Sequence, residues 1–157
     1  MSTVEARLAE LGLTVPQVVP PVAAYVPAQR HGSWVFSSGQ LPMVDGKMPA
    51  VGKVGHGEGL VAPEIAQELA GYCALNAIAA VKSVIGDLDK VVQVVKVVGF
   101  VACDPAFVGI PQVINGASEL LGRAFGDAGK HARSAIGVAS LPLDAPVEVE
   151  ILVAVAD

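Results

Sequence analysis

The residues of this chain best able to do chemistry lie in HARSAIGVASLPLDAPVEVEI, His131 to Ile151, which reads as strand, proline-bounded turn, strand. Side chains alternate along a strand, so Arg133, Ala135, Gly137 and Ala139 share one face and Ser134, Ile136, Val138 and Ser140 the other. The arginine overlooks a face of very small residues. In the second strand Glu148 and Glu150 point one way and Val147, Val149 and Ile151 the other, and the apolar set belongs on the core. A cation beside exposed backbone and empty volume, with a carboxylate at hand, is what a site for a small anionic metabolite requires. The bland alternatives are an ion pair of Arg133 with Glu148 or Glu150, which contributes little at a surface, and an inter-subunit hydrogen-bond network around Glu148. A simple hairpin turning near Leu143-Asp144 sets Glu148 opposite Ala139, ~20 Å along the strand from Arg133. Either the carboxylate then serves a neighbouring subunit's arginine, or the pairing is not this simple.

The elements that position these residues follow from periodicity. Ser2 to Leu11 reads as a short amphipathic helix with Val4, Leu8 and Leu11 on one side, capped by Ser2 or Thr3 and ended by Gly12, an appendage to the rest. Pro16, Pro20 and Pro21 hold the chain extended as far as Val22. AAYVPAQRHG then leads into SWVFSSG, a β-hairpin with its turn near Arg30 to Ser33, Trp34 and Phe36 alternating against Val35 and Ser37. Ser38 and Gly39 close its second strand, where turn chemistry alone accounts for them. Leu41 to Gly59 reads as a flexible excursion with at most one short strand, turning at Asp45-Gly46. Its GKVGHGEG lacks the order of a phosphate loop, and His56 has no second histidine to make a metal site. Pro63 to Ile85 is predicted as a long helix ended by Gly86, with the stripe Ile65, Leu69, Cys73, Ala77, Ala80 and Val84 inward and Asn76 beside it as a structural hydrogen-bonder. Val91 to Ala102 is a near-continuous β-branched run, predicted as a central strand buried on both faces. Ile110 to Phe125 is a second helix with Val113, Ile114, Ala117, Leu120, Leu121 and Phe125 inward and Glu119 paired with Arg123 outward. The economical architecture is one mixed sheet with two helices on one face, α+β in class, whose uncovered face is buried most simply by copies of itself.

Composition bounds the function. A chain of 157 residues, 53% hydrophobic, fits one domain with a sizeable core. A mean hydropathy of +0.59 with only 16% charged residues leaves little polar surface and favours burial between subunits. The formal net charge of −5, with lysines and arginines scattered singly, lacks the basic footprint a nucleic-acid partner needs. Cys73 and Cys103 stand apart without CxxC or Cys/His clustering and read as reduced thiols. MSTVEARLAELGL carries Glu5 and Glu10 without an apolar h-region, and the run Val91 to Cys103 is too short to span a bilayer, so a cytoplasmic protein is expected.

AYVPAQRHGSWVFSSGQLP, VINGASELL and ARSAIGVASLPLDAPVEVEILVAV together resemble the Rid superfamily, the YjgF-type reactive-intermediate deaminases. The last motif, R-S-x-x-x-V-x-x-L-P followed by V-E-V-E, is the most specific. The resemblance runs from about Tyr25 to Val155, leaves residues 1–20 as an N-terminal helical extension of a 21–157 core, and is looser over Leu41 to Gly59. It implies a chorismate-mutase-like fold, a homotrimer with sites between subunits, and hydrolysis of enamine/imine products of pyridoxal-phosphate enzymes, such as 2-aminoacrylate, to 2-keto acids and ammonia. Labels such as translation inhibitor or endoribonuclease attach to similar sequences. Position by position, it puts the substrate-carboxylate arginine on Arg133, the water-handling carboxylate on Glu148, the aromatic wall on Tyr25, the strand-end pair on Ser38 and Gly39, and the helix amide on Asn115. Two positions depart: the family's frequent cysteine two residues after the arginine is Ala135, and the proline two residues before it is His131. The contact at Ala135 can come from the main chain.

The implied chemistry asks little of a protein. An imine beside a carboxylate is already electrophilic, so a site has to fix the carboxylate, place a water at the imine carbon and stabilise the carbinolamine. A guanidinium suits the first task because it grips carboxylates bidentately; Glu148 suits the handling of water and protons; the main chain of Gly39 and Ala135 can bond the reacting atoms. No metal or organic cofactor is required. The alternatives are a non-catalytic trimer binding small carboxylates and, with less support, a ribonuclease; a chorismate mutase would want more cations than Arg133 around its dicarboxylate.

Overall fold

The computed structural model describes residues 1–21 and 23–157; Val22, where the extended stretch was expected to end, lies outside them. The elements in chain order are α1 (Thr3–Glu10), β1 (Ala28–His31), β2 (Trp34–Ser37), α2 (Pro63–Ile85), β3 (Val91–Ala102), α3 (Ile110–Phe125), β4 (Ala132–Val138) and β5 (Val147–Val155). They form a five-stranded mixed sheet of order β1-β2-β5-β3-β4, with α2 and α3 on one face. β3 runs antiparallel to β5 and parallel to β4.

The expected hairpin of the last two strands does not form. β3, α3 and β4 are a βαβ unit, in which the helix carries the chain back so that β4 starts at the same end of the sheet as β3. The chain then passes over the end of β3, where the Cys103 amide donates to the Val138 carbonyl, and enters β5 on the far side. A short helical turn at Pro142–Asp144 makes this crossing, with Leu143 and Asp144 both at φ 58°.

The core lies between sheet and helices. Val35, Val94, Val97, Val101, Val147, Val149, Ile151 and Val153 present the buried face of the sheet. Alanines of α2 let the helix sit close, and α3 meets it at Gly116, where any side chain would collide with the Gln67 carbonyl. α2 is long and apolar enough to cross a membrane by length and composition, but 67% of its apolar window is buried inside the fold. Its inward stripe is shifted from the expected one: Ile65 and Val84 are exposed, whereas Ala66, Ala70, Ala74 and Ile78 are buried. Asn76 donates from Nδ2 to the Leu41 and Met43 carbonyls, as a structural amide should. Among the described residues Glu119 and Arg123 form no ion pair within 4 Å.

β3 is buried on one face rather than two. Its β-branched run continues on the other face because that face, too, is apolar: Trp34, Phe36 and Ile136 are 43%, 48% and 43% exposed, and Val92 55%. The segment Leu41 to Gly59 contains no strand, yet its backbone is tied down. Val54 bonds the chain around Ala102 and Asp104, and the Gly52 amide donates to the Asp144 carbonyl, bracing the crossing turn.

α1 is built into the core and is not an appendage. Ser2 and Glu5 form a reciprocal capping box, and the Asp89 carboxylate accepts from the Thr3 and Val4 amides at 2.8 and 3.2 Å. Glu5 also hydrogen-bonds Lys82, chiefly for which its carboxyl is held down at about 2. Val4 and Leu8 are buried in the core, while Leu11 is exposed. Leu8→Ala should therefore cost about 3 kcal/mol, read as a lower urea midpoint; an unchanged midpoint would mean that α1 merely rides on the surface.

Candidate functional site

Arg133 lies opposite Val97 in the sheet register, and Val97 is buried under the helices, so Arg133 points to the helix-covered side of edge strand β4. There its Nη1 donates to Asn115 Oδ1 at 2.8 Å and to Ser118 Oγ at 3.3 Å. Asn115 and Ser118 are three residues apart on α3 and share a face for that reason. His131 Nε2 lies 2.9 Å from Ser118 Oγ, and its Nδ1 lies 2.6 Å from the Gly129 carbonyl oxygen. Ala135 and Gly137 follow on the same face, and Gly137 is bare because a Cβ would come within 2.8 Å of Ile110 Cδ1. The small-residue face next to the arginine is thus real. Among the described residues only Nη1 of the guanidinium is engaged, leaving the Nε/Nη2 edge for a carboxylate.

Glu148 lies opposite Phe100 and alternates with the buried Val147 and Val149, so it faces the open side of the sheet. Its carboxylate fills the place where Gly39 would carry a side chain. Gly39 also lines a cleft of about 50 Å³ together with Tyr25, Leu41, Met43 and Leu143. Ser38 Oγ donates to the Val26 carbonyl at 2.6 Å, which ties the end of β2 to the Tyr25 segment and leaves its lone pairs to accept.

The predicted residues therefore fall into two groups. Arg133, Asn115 and Ala135 gather beneath α3, whereas Tyr25, Ser38, Gly39 and Glu148 gather at the ends of β2 and β5. Arg133 and Glu148 are two strands and three residues apart, roughly 14 Å between Cα atoms, and on opposite faces of the sheet. Among the described residues Arg133 forms no ion pair with Glu148 or Glu150. The sequence alone gives no sign of Ser118 beyond its i, i+3 spacing to Asn115, and marks Leu143 only as a turn position and His131 only as a departure from the family pattern. The positive φ of Leu143 has no sequence signal, because it follows from the crossing turn alone. A cavity of about 460 Å³ between α2 and α3, beside Tyr72, Glu68 and Arg123, contains none of the predicted residues. Among the described residues no group of three or more histidines, cysteines or acids is arranged for a metal ion. Both cysteines are unpaired and buried, and desolvation pushes the Cys73 thiol well up.

Burial raises the Glu148 carboxyl above the usual range, and the charge of Glu150 adds to it. Since the folded state holds this proton more tightly than the unfolded chain, ionisation weakens the fold as pH rises from the unfolded pKa through the folded one. Glu148→Gln removes that penalty. Its melting temperature should exceed the parent's at neutral pH, and the gain should vanish below about pH 4, where unfolded glutamates are protonated. A difference independent of pH would contradict the assignment.

Comparison with known proteins places this geometry. Residues 5–155 match the family model described as "YjgF/chorismate_mutase-like, putative endoribonuclease", so the match starts within α1 and not near Tyr25. Protein TCP17 of Trypanosoma cruzi is 40% identical over 151 residues, covering 96% of this chain and 92% of its own. The crystal structure of Atu1372 of Agrobacterium tumefaciens, a protein of unknown function, superimposes with a TM-score of 0.90 at 44% identity over 98% of this chain and 93% of that one. Escherichia coli TdcF with bound serine gives a TM-score of 0.59 at 25% identity, covering 91% and 94% of the two chains. With its mixed sheet, helix-covered face and near-complete match, the chain belongs to the YjgF/chorismate-mutase-like family.

Proposed function

We propose that the protein hydrolyses reactive 2-imino and 2-enamino carboxylates, of the 2-iminopropanoate and 2-aminoacrylate kind, to 2-keto acids and ammonia. The observation that carries this is the guanidinium of Arg133, held by Nη1 with its Nε/Nη2 edge unengaged beside a strand face of alanine and glycine. A substrate carboxylate takes that edge. An enamine first takes a proton from solvent at C3 and becomes the iminium. Glu148 then accepts a proton from water as the oxygen adds to the imine carbon, and the carbinolamine forms. Return of that proton from Glu148 to nitrogen makes ammonia the leaving group, and the carboxylate takes up the hydroxyl hydrogen as the carbonyl closes. A carboxyl raised above its usual range is suited to both transfers, because it gives up and regains a proton near neutral pH more readily than an ordinary glutamate.

The two groups of residues complete one another across subunit boundaries in a homotrimer. Two observations support this: Arg133 and Glu148 face away from one another in the protomer, and the open sheet face carries large apolar side chains that need covering. A second reading, a non-catalytic trimer that holds small carboxylates, is favoured by the serine bound in TdcF, since the same arginine edge would hold an amino-acid carboxylate. A ribonuclease draws on descriptive names within the family, against a net charge of −5.

Turnover separates these readings. When a pyridoxal-phosphate enzyme generates 2-aminoacrylate, this protein should accelerate its decay to pyruvate; Arg133→Ala should abolish the acceleration and Glu148→Gln reduce it about 100-fold. No acceleration by the parent would leave the binding reading standing. Mixing tests the assembly. Randomly mixed trimers of Arg133→Ala and Glu148→Gln subunits should recover about a quarter of parental activity, because one interface in four then joins two intact halves. No recovery would place both residues of a site in one subunit.

A further inference from the structure

His131 stands where the resembled family has proline, and its ring makes contacts that proline cannot. The Gly129 carbonyl only accepts hydrogen bonds, so the hydrogen of a neutral imidazole sits on Nδ1, 2.6 Å away. Nε2 is then a lone pair and accepts the hydroxyl hydrogen of Ser118 at 2.9 Å. With that hydrogen committed, the lone pairs of Ser118 Oγ are left for Arg133 Nη1 at 3.3 Å, beside Asn115 Oδ1 at 2.8 Å. Two acceptors on one guanidinium nitrogen fix its rotation, and with it the direction in which the Nε/Nη2 edge points. A helical serine without such a partner tends to donate to the carbonyl four residues earlier, here that of Ile114, which holds the oxygen against its own helix.

We propose that His131 is a positioning residue: through Ser118 it orients the Arg133 guanidinium to receive a substrate carboxylate. The inference rests on the reading of Arg133 as the carboxylate clamp. It assigns to the chain a relay of Gly129, His131, Ser118 and Arg133 that acts on substrate binding and not on the chemical step.

The relay can be tested with 2-oxobutanoate, an unreactive keto acid, by calorimetry, alongside imine turnover. Loss of one hydrogen bond to a charged group is worth about tenfold, so His131→Ala should raise Kd and KM about tenfold while kcat stays within about twofold of the parent. The His131→Ala/Ser118→Ala double variant should be no weaker than Ser118→Ala alone. Two shorter substitutions separate positioning from loop anchoring. Glutamine reaches to where Nε2 was and keeps an acceptor for Ser118, whereas asparagine keeps only the donor to Gly129. Glutamine should therefore restore binding and asparagine should not. Restoration by asparagine alone, additive losses in the double variant, or an effect of His131→Ala that persists on top of Arg133→Ala would overturn the proposal. A parent that binds the keto acid but turns over no imine defeats the enzyme reading separately, and the Kd comparison still decides the role of His131. A parent that binds no keto acid defeats both.

Discussion

The parallel pairing of β4 with β3 is the constraint on which the site depends. Parallel neighbours need a crossover, and α3 is the element that makes it. Because the crossover helix lies over the strands it joins, the inward residues of β4 are brought under α3. Arg133 is the first of these, and it meets Asn115 and Ser118 one helical turn apart. Had β4 and β5 closed a hairpin about Leu143-Asp144, the arginine would have had the Val153 to Val155 end of β5 beside it in place of β3. With β3 beside it and neutral acceptors on α3, Arg133 has no ion pair among the described residues, and one edge of its guanidinium is unengaged.

The same topology leaves the other face of the sheet apolar and exposed. β5, threaded between β2 and β3, buries its valines under α2 and turns Glu148, Glu150 and Leu152 to the other side. There they join Trp34, Phe36, Val98, Phe100 and Ile136 on a face that none of the described helices covers. Much of the high hydrophobic content of the chain thus sits outside its own core. An apolar sheet face of this size is what the proposed assembly would cover.

Glycine and alanine set the shape of both halves of the candidate site. Gly39 makes room for the Glu148 carboxylate, and Gly137 with Ala135 leaves a bare strand beside the arginine. Charge is used sparingly: one guanidinium steadied by neutral acceptors, and one carboxyl raised by burial so that its protonation lies closer to neutral pH. Neutral acceptors leave the charge of the arginine uncompensated among the described residues.

Local patterns determined a good deal of this without coordinates. Both long helices and β3 have the bounds that their periodicity, prolines and glycines dictate, and the alternation in VEVEI put the valines on the core and the glutamates opposite. The motif around Arg133 and VEVE pointed to the family that the comparison then bore out. The βαβ order was also legible, since strand, helix, strand implies parallel neighbours, but the proline turn after Ser140 suggested a hairpin and that reading lost to the crossover rule. What only the tertiary structure decided depends on sheet order and register, which are settled by contacts distant in the chain. These contacts put Arg133 and Glu148 on opposite faces, make α1 part of the core through Asp89 and Lys82, leave one face of β3 uncovered, and link His131 through Ser118 to the arginine. A sequence states which face of its own strand a residue is on; only packing states what that face meets.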